Sequence, residues 1–544
     1  MKKKVIPVLV VAVLILVIGC GYLILEHLPS KEQMNLQEYY GQAEDGQAVI
    51  VLGSEIIPDR AIIENGIVYL PLGIVQNTLN QAFYWDQEGQ QILYASPSQL
   101  LKVPLSEETG SPVVGRNNNI YLSGDLVKEH TDADISVYEN PSRVVIQYQW
   151  KDANLVTAKK NTYLRVLPDV TEKILTSVFS GEKLWYVGET EDWYEVSSAK
   201  GFIGYIRKKE ASSPEVQSIE RSFSENYSYI THEGLINMVW HQVTSELAND
   251  GLDDAVADVS GINVISPTWF TLTDNAGNVQ SIATSTYVEN AHARGWQVWG
   301  LVDNFTFEVD TDAILSSTSA RQNAVNQLVQ YALQYNLDGI NVDFESLSEA
   351  VGPHFLQFLR ELSVETHKNN LVLSVDNPVP EDFTSHYDRA EQGRVVDYVI
   401  IMGYDEHYVG SEAGSVASLP WVEKGIQDTL AEVPASRTIN AMPFYCRVWK
   451  SVGQIVNTEA IGMADAQEVV NVHAVETYWD NTVGQNYGKY EDDEGNLCEI
   501  WIEDAQSIAA KTALVPKYGL AGVAAWKLGF ETPDVWQTIT ENLS

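Results

Sequence analysis

The sequence predicts a multidomain protein: one N-terminal transmembrane helix, an α+β repeat domain, a small all-β barrel and a C-terminal (β/α)8 TIM barrel of the α/β class. Three observations carry this. The 544 residues are too many for one core, and about 100 to 200 residues per domain gives three or four. An unbroken apolar run opens the chain, and short strand-like periods between turn residues follow it. Beyond Tyr229 the pattern becomes apolar strand runs alternating with helical periods, which is the mark of a parallel sheet with crossover helices.

Residues 1–28 form the expected membrane anchor. Lys2, Lys3 and Lys4 precede an apolar run from Val5 to Leu25, which as a helix spans about 31 Å, the thickness of a bilayer's hydrocarbon core. The lysines favour a cytoplasmic N-terminus, which makes the protein a single-pass cell-membrane protein with its C-terminal bulk extracellular. Secretion after cleavage of a signal peptide is the rival reading, and so is a lipoprotein anchored at Cys20. The apolar run continues through Tyr22, Leu23, Ile24 and Leu25, past the cysteine, which favours the uncleaved anchor.

Composition narrows the partners. Thirty-four basic against 74 acidic residues leave a formal charge of −40, so long-range repulsion opposes nucleic acid and anionic surfaces. Cys20, Cys446 and Cys498 make no disulfide framework, although pairing of Cys446 with Cys498 stays open. No Cys/His cluster has metal-ligand spacing, and the consecutive Asp405, Glu406 and His407 cannot readily converge on one ion. Neither a metal nor a cofactor is implied.

A polar stalk is expected over 29–47. Over 48–150 a weak internal repeat appears: Val68–Leu72, Phe83–Trp85 and Gln91–Tyr94 are echoed by Ile120–Leu122, Ile135–Tyr138 and Val144–Tyr148. Each copy reads strand, short helix, strand, strand, and resembles the small repeat domain near the N-terminus of some copper amine oxidases. No histidine cluster accompanies it, so a packing or binding module is expected. Over 151–212 five short strands suggest a small barrel. Leu164, Arg165, Pro168, Gly181, Trp193–Val196 and Gly204–Ile206 resemble a bacterial SH3-like domain. That resemblance implies contact with cell-wall peptide, a plain spacer being the alternative. A polar linker is expected over 213–228.

Residues 229–544 supply eight strand runs: Ile236–Val243, Ile262–Ser266, Gln297–Leu301, Gly339–Phe344, Leu371–Val375, Tyr398–Met402, Thr438–Met442 and Gly522–Trp526. Barrel active sites lie at the carboxyl ends of such strands. The fourth run, Asp338 to Glu345, is the sharpest signal in the chain. Alternate strand residues face the same way about 6.6 Å apart, so Asn341, Asp343 and Glu345 share one face while Ile340, Val342 and Phe344 share the other. Two carboxylates in line on a buried strand need a compensating role, most often catalytic.

The run Asp338 Gly339 Ile340 Asn341 Val342 Asp343 Phe344 Glu345 resembles the D-G-x-D-x-D-x-E signature of family 18 glycoside hydrolases. Met402 Gly403 Tyr404 Asp405 is similar to the family's M-x-Y-D, Met442 to Tyr445 to its strand-seven run, and Trp526 stands where the family places a tryptophan under the scissile sugar. Asn341 departs from the usual aspartate. Together with Pro267–Phe270 and Trp526–Gly529, it is similar to the branch containing spore and cell-wall N-acetylglucosaminidases.

The resemblance implies a retaining glycosidase in which the substrate's own 2-acetamido group is the nucleophile. Glu345 would be general acid and base, Asp343 the acceptor of the acetamido N–H, and Tyr404 a donor to the attacking carbonyl. Asn341, Trp526, Asp405, Met402, Tyr445, Arg447 and Trp269 would contact substrate. Because Asn341 cannot ionise, Asp343 has to be tuned by other neighbours. The expected substrate is peptidoglycan cut after N-acetylglucosamine, with chitin-type oligosaccharides second and a silent glycan-binding wall protein third. Some 60 residues between strand seven and the last helix, with a hairpin around Asp493–Gly495, are expected to wall one side of a shallow cleft.

Overall fold

The computed structural model describes residues 28–543 except 222, 224 and 308. The expected transmembrane helix and Cys20 fall outside the described residues. Among the described residues no helix is long and apolar enough to cross a membrane.

The chain divides into two compact units, with the boundary near residues 225 and 226 and residues 95–101 counted with the second. In the first, the repeat copies take the expected order: strand Ile67–Pro71, helical turns, then Phe83–Asp86 and Gln91–Ala95; and strand Asn119–Ser123, helix Gly124–Glu129, then Asp134–Tyr138 and Arg143–Gln147. The leading strands of the two copies pair antiparallel, with Leu70 opposite Leu122. Seven further strands between Ala153 and Gln217 form one antiparallel sheet. The two sheets share a core in which Val49, Val51 and Val145 meet Val156, Leu164, Val196 and Phe202.

Two expectations here are corrected. Residues 29–47 are not a free stalk. Helix Leu36–Tyr40 buries Tyr40, whose hydroxyl donates to the Gly201 carbonyl, and the Met34 N–H donates to the Ile174 carbonyl. Met34, Leu36 and Tyr39 pack beside Tyr40 against the same apolar core, which holds the segment down. Likewise the linker begins as a strand, because Glu215–Gln217 pairs with Ala153–Leu155.

The second unit holds a closed parallel barrel: β1 Ile236–His241, β2 Val264–Leu272, β3 Gln297–Asp303, β4 Gly339–Asp343, β5 Val372–Pro378, β6 Tyr398–Met402, β7 Thr438–Pro443 and β8 Gly522–Trp526. Neighbours pair in order, and β1 pairs with both β2 and β8, which closes the ring. Helices such as Thr318–Tyr335 and Gly352–Lys368 pack outside it. Ile340, Val342 and Phe344 sit in that outer layer with Leu328, Phe355, Phe358 and Leu359. The interior is filled by Met238, Trp240, Trp299, Leu301, Ile400 and Ala441. Alternation along β4 therefore leaves Asn341 and Asp343 facing inward.

Between β7 and β8 the chain builds more than a hairpin. Five antiparallel strands (Tyr445–Val452, Ile455–Gly462, Thr477–Asp480, Gln485–Glu491 and Leu497–Ile502) form a separate sheet against helix Met463–Val472. Cys446 and Cys498 lie on neighbouring strands of it and are both free, because the register sets Cys498 opposite Lys450.

Candidate active site

At the carboxyl end of β4 the polar face unfolds in three levels. The lowest is Asn341, fully buried and held by four hydrogen bonds. Its Oδ1 accepts from Trp240 Nε1 at 2.9 Å and Ser266 Oγ at 3.3 Å. Its Nδ2 donates to Ser374 Oγ at 3.0 Å and to Asp376 Oδ1 at 2.9 Å. Each donor and acceptor of this amide is matched, so it is a fixed support and does not face substrate.

The middle level is a row of carboxylates. The register sets Asp303 of β3 opposite Asp343, and the pairing of Asn341 with Ser374 and Val342 with Val375 carries Asp376 of β5 to the same height. All three are buried, with exposures of 8% for Asp303, 6% for Asp343 and 1% for Asp376. Burial raises the pKa of Asp343 well above the usual carboxylate range, and the nearby charges of Asp376, Glu345 and Asp303 raise it further. Burial does the same to Asp376, partly opposed by the Asn341 hydrogen bond. Asp303 is raised by burial, against the pull of the Phe305 N–H and the Thr271 hydroxyl.

The upper level is Glu345, just past the strand and open to solvent. Asn304 fixes its backbone from the side: the Glu345 N–H donates to Asn304 Oδ1 at 2.9 Å, and Asn304 Nδ2 donates back to the Glu345 carbonyl at 2.9 Å. The side-chain amide thus acts as a strand neighbour where the ladder has ended. Partial burial raises the pKa of Glu345, with help from the charge of Asp405. Beside it opens a cleft of about 530 Å³ lined by Asn304, Phe305, Asp310, Thr311, Glu345 and Ser346 among others.

The other expected residues mostly converge. Tyr404 follows β6, packs against the interior cluster, and has its hydroxyl pKa raised well above normal by burial and by the charges of Tyr445, Asp343, Asp376 and Glu345. Asp405 next to it takes a left-handed backbone, φ 63°. Its carboxylate accepts from Tyr445 Oη at 2.8 Å and Arg447 at 3.4 Å. Tyr445 and Arg447 come from the first strand of the inserted sheet, so that insertion delivers side chains to the site as well as bounding it. Met402 ends β6 half-buried. Trp526 ends β8 with its ring 6.1 Å from that of Trp240, and a cis peptide joins it to Lys527. Glu406 and His407 turn away, to Ser418 and to the Ser415 carbonyl.

Trp269 does not join them. It is 1% exposed in the outer layer, edge-on to Tyr287, with Nε1 donating to Asn249. The register of β2 slips between Thr268 and Phe270, and this irregularity leaves both Trp269 and Phe270 on the helix side. Sequence reasoning missed Asp376, Asp303 and Asn304. The signal for the first was the period-two run Val372, Ser374, Asp376.

A closed parallel barrel with acidic side chains gathered at the carboxyl ends of its strands carries its polar groups where barrel enzymes place their active sites. Residues 278–531 match the model of the Glycosyl hydrolases family 18. The C-terminal barrel is a glycosidase domain of that family. The chain is 24% identical over 289 residues to the uncharacterized glycosylase YvbX of Bacillus subtilis, covering 51% of this chain and 84% of that one. It is 26% identical over 251 residues to the cortical fragment-lytic enzyme of Bacillus anthracis, covering 45% of this chain and 58% of the relative. The chitinase of Chromobacterium violaceum, at 25% identity, superposes with a TM-score of 0.52 over 57% of this chain and 99% of that one.

Proposed function

We propose that this protein is a membrane-tethered extracellular hydrolase that cleaves β-1,4 bonds after N-acetylglucosamine in peptidoglycan, with retention and by substrate-assisted catalysis. The observation that carries the chemistry is the split on β4: an exposed, pKa-raised Glu345 above a buried, inward Asp343, with Tyr404 among them. Glu345 protonates the departing glycosidic oxygen, and the sugar's acetamido oxygen attacks the anomeric carbon. Asp343 accepts the acetamido N–H and steadies the positive charge. The Tyr404 hydroxyl donates to the attacking carbonyl. Glu345, now ionised, then deprotonates the incoming water. Trp526 offers a ring to the pyranose, and Asp405, Tyr445 and Arg447 meet the sugar beside it.

The choice of peptidoglycan draws on relatives such as the cortical fragment-lytic enzyme. The extracellular placement draws on the lysine-flanked apolar run of residues 2–25. Chitin-type oligosaccharides are the second reading, supported by 23% identity over 278 residues to chitinase A1 of Niallia circulans. Cell-wall peptide contact by the strands of 151–212 is part of the same proposal. The test is to incubate the full chain, and its Glu345→Gln variant, with peptidoglycan and with chitin oligomers and to identify the new reducing ends. N-acetylglucosamine ends made from peptidoglycan by the wild type and not by the variant are expected. Ends from chitin alone select the second reading. Silence of both proteins on every substrate overturns hydrolysis and leaves glycan binding.

A further inference from the structure

Two buried oxygens in the carboxylate row lack a hydrogen-bond partner: Asp343 Oδ1 and Asp376 Oδ2. They belong to side chains at the same height on adjacent strands, both facing the barrel interior. A buried acceptor left without a donor is costly, and two buried like charges side by side are costlier still. A single proton between the two carboxyls removes both penalties at once, since one becomes donor and the other acceptor. The surroundings also say where the charge rests. Asp376 accepts from the Asn341 amide at 2.9 Å, while no protein donor bonds Asp343 Oδ1, so the anion is favoured on Asp376 and the proton on Asp343.

We infer that Asp343 and Asp376 hold one proton between them, and that Asp376 is a positioning residue that takes this proton when positive charge develops on the bound aminosugar. The inference rests on the function proposed above and deepens it. The O–H bond at Asp343 breaks as the one at Asp376 forms. No electrons leave the site, and the pair keeps a charge of −1. Asp343 thereby becomes the anion that the cationic intermediate needs, without any proton having to reach solvent. The groups facing the pair are Asp303 from β3, Glu345 beyond Asp343, Tyr404 after β6 and Tyr387 after β5, all of them acids. In this chain the second buried acid stands on β5, whereas residue 341 of β4, the usual place for it in the family signature, carries an amide.

The test exchanges amide and carboxylate between the two strands in the full chain. Asp376→Asn leaves an amide oxygen to accept from Asn341, so packing is kept while the proton site is lost. The variant is expected to lower kcat roughly 10- to 100-fold, the scale of losing one preorganised electrostatic partner. KM is expected to change little. The acid limb of the pH–rate profile should move up by about one unit, because Asp343 must then shed its proton alone. Adding Asn341→Asp to that variant should restore both rate and profile. Wild-type rate and profile in Asp376→Asn overturn the inference. So does a rate loss with an unmoved profile and no rescue, which marks a structural role.

Glu345→Gln separates this from the parent reading: undiminished activity there sinks the proposed function alone. Infrared spectroscopy then judges the pair without turnover. A protonated-carboxyl C=O stretch is expected in the wild type at pH 7 and is shifted or lost in Asp376→Asn. A wild-type spectrum without it overturns the shared proton.

Discussion

Two residues of one strand separate the mouth of the barrel from its floor, and the two places handle negative charge in opposite ways. At the mouth, Glu345 reaches solvent and the Asp405 carboxylate is answered by a tyrosine hydroxyl and a guanidinium. On the floor, Asp303, Asp343 and Asp376 lie buried beneath them, with a neutral amide from Asn341 and hydroxyls from Thr271, Ser266 and Ser374 in attendance. The difference teaches how one strand runs two kinds of acid chemistry. A group that exchanges its proton with a leaving oxygen and then with water needs access, whereas one that steadies a cation needs a low-dielectric wall.

The contrast breaks most completely at the mouth. Glu345→Gln should lower kcat/KM by about 10²–10⁴-fold, the usual contribution of a positioned proton donor, as read from steady-state kinetics on a defined glycan. Next is the support of that group. Asn304→Ala removes both hydrogen bonds that hold the Glu345 backbone, and roughly tenfold in kcat should go with a melting curve close to wild type, because small misplacement of a reacting group is expensive in rate.

A smaller effect sharpens the electrostatics. The protonated form of Glu345 is the active one, so kcat/KM falls as pH rises through its raised pKa. Burial is the main cause of that rise and Asp405 the second. Asp405→Asn should therefore move the alkaline limb to lower pH, by about half a unit. The smallest effect is on stability. Asp343 has a folded pKa above its unfolded one, so the folded state binds more protons and stability falls as pH rises above the ordinary carboxylate range. Asp343→Asn should remove that loss. It should raise the melting midpoint by about 2–4 °C at neutral pH, the shift of about 1 kcal/mol in a large domain, and by nothing at pH 3, where both states are protonated. Calorimetry at the two pH values reads the difference.

The mouth was far more legible in the sequence than the floor. The eight apolar runs gave the strand order of the barrel, because buried parallel strands read as continuous apolar runs, and period-two alternation on β4 set Glu345 at its carboxyl end, with Asp343 the one floor carboxylate that this strand made visible. Those same runs were cut short where polar residues began. Strand three was expected to stop at Leu301 and strand five at Val375, whereas they run to Asp303 and Pro378. The residues lost by that truncation include two of the three floor carboxylates, Asp303 and Asp376. Trp269 failed for another reason, since a register slip after Thr268 reverses which face a residue takes and leaves no trace in an apolar run. Asn304 could not be seen at all, because a loop amide that completes a strand ladder is defined only once β3 and β4 are side by side. In the first unit, Met34, Leu36, Tyr39 and Tyr40, scattered through a polar stretch, were the signs that residues 29–47 pack down.

Whether the displacement runs in two steps through an intermediate, as attack by the sugar's own amide requires, or by one direct attack of water is decided most directly by the anomer first released. Proton NMR in the opening minutes of hydrolysis, before mutarotation, should show the new reducing end as the β-anomer, because attack by the acetamido oxygen followed by water inverts the anomeric centre twice. An initial α-anomer would mean a single direct attack by water and would contradict the account.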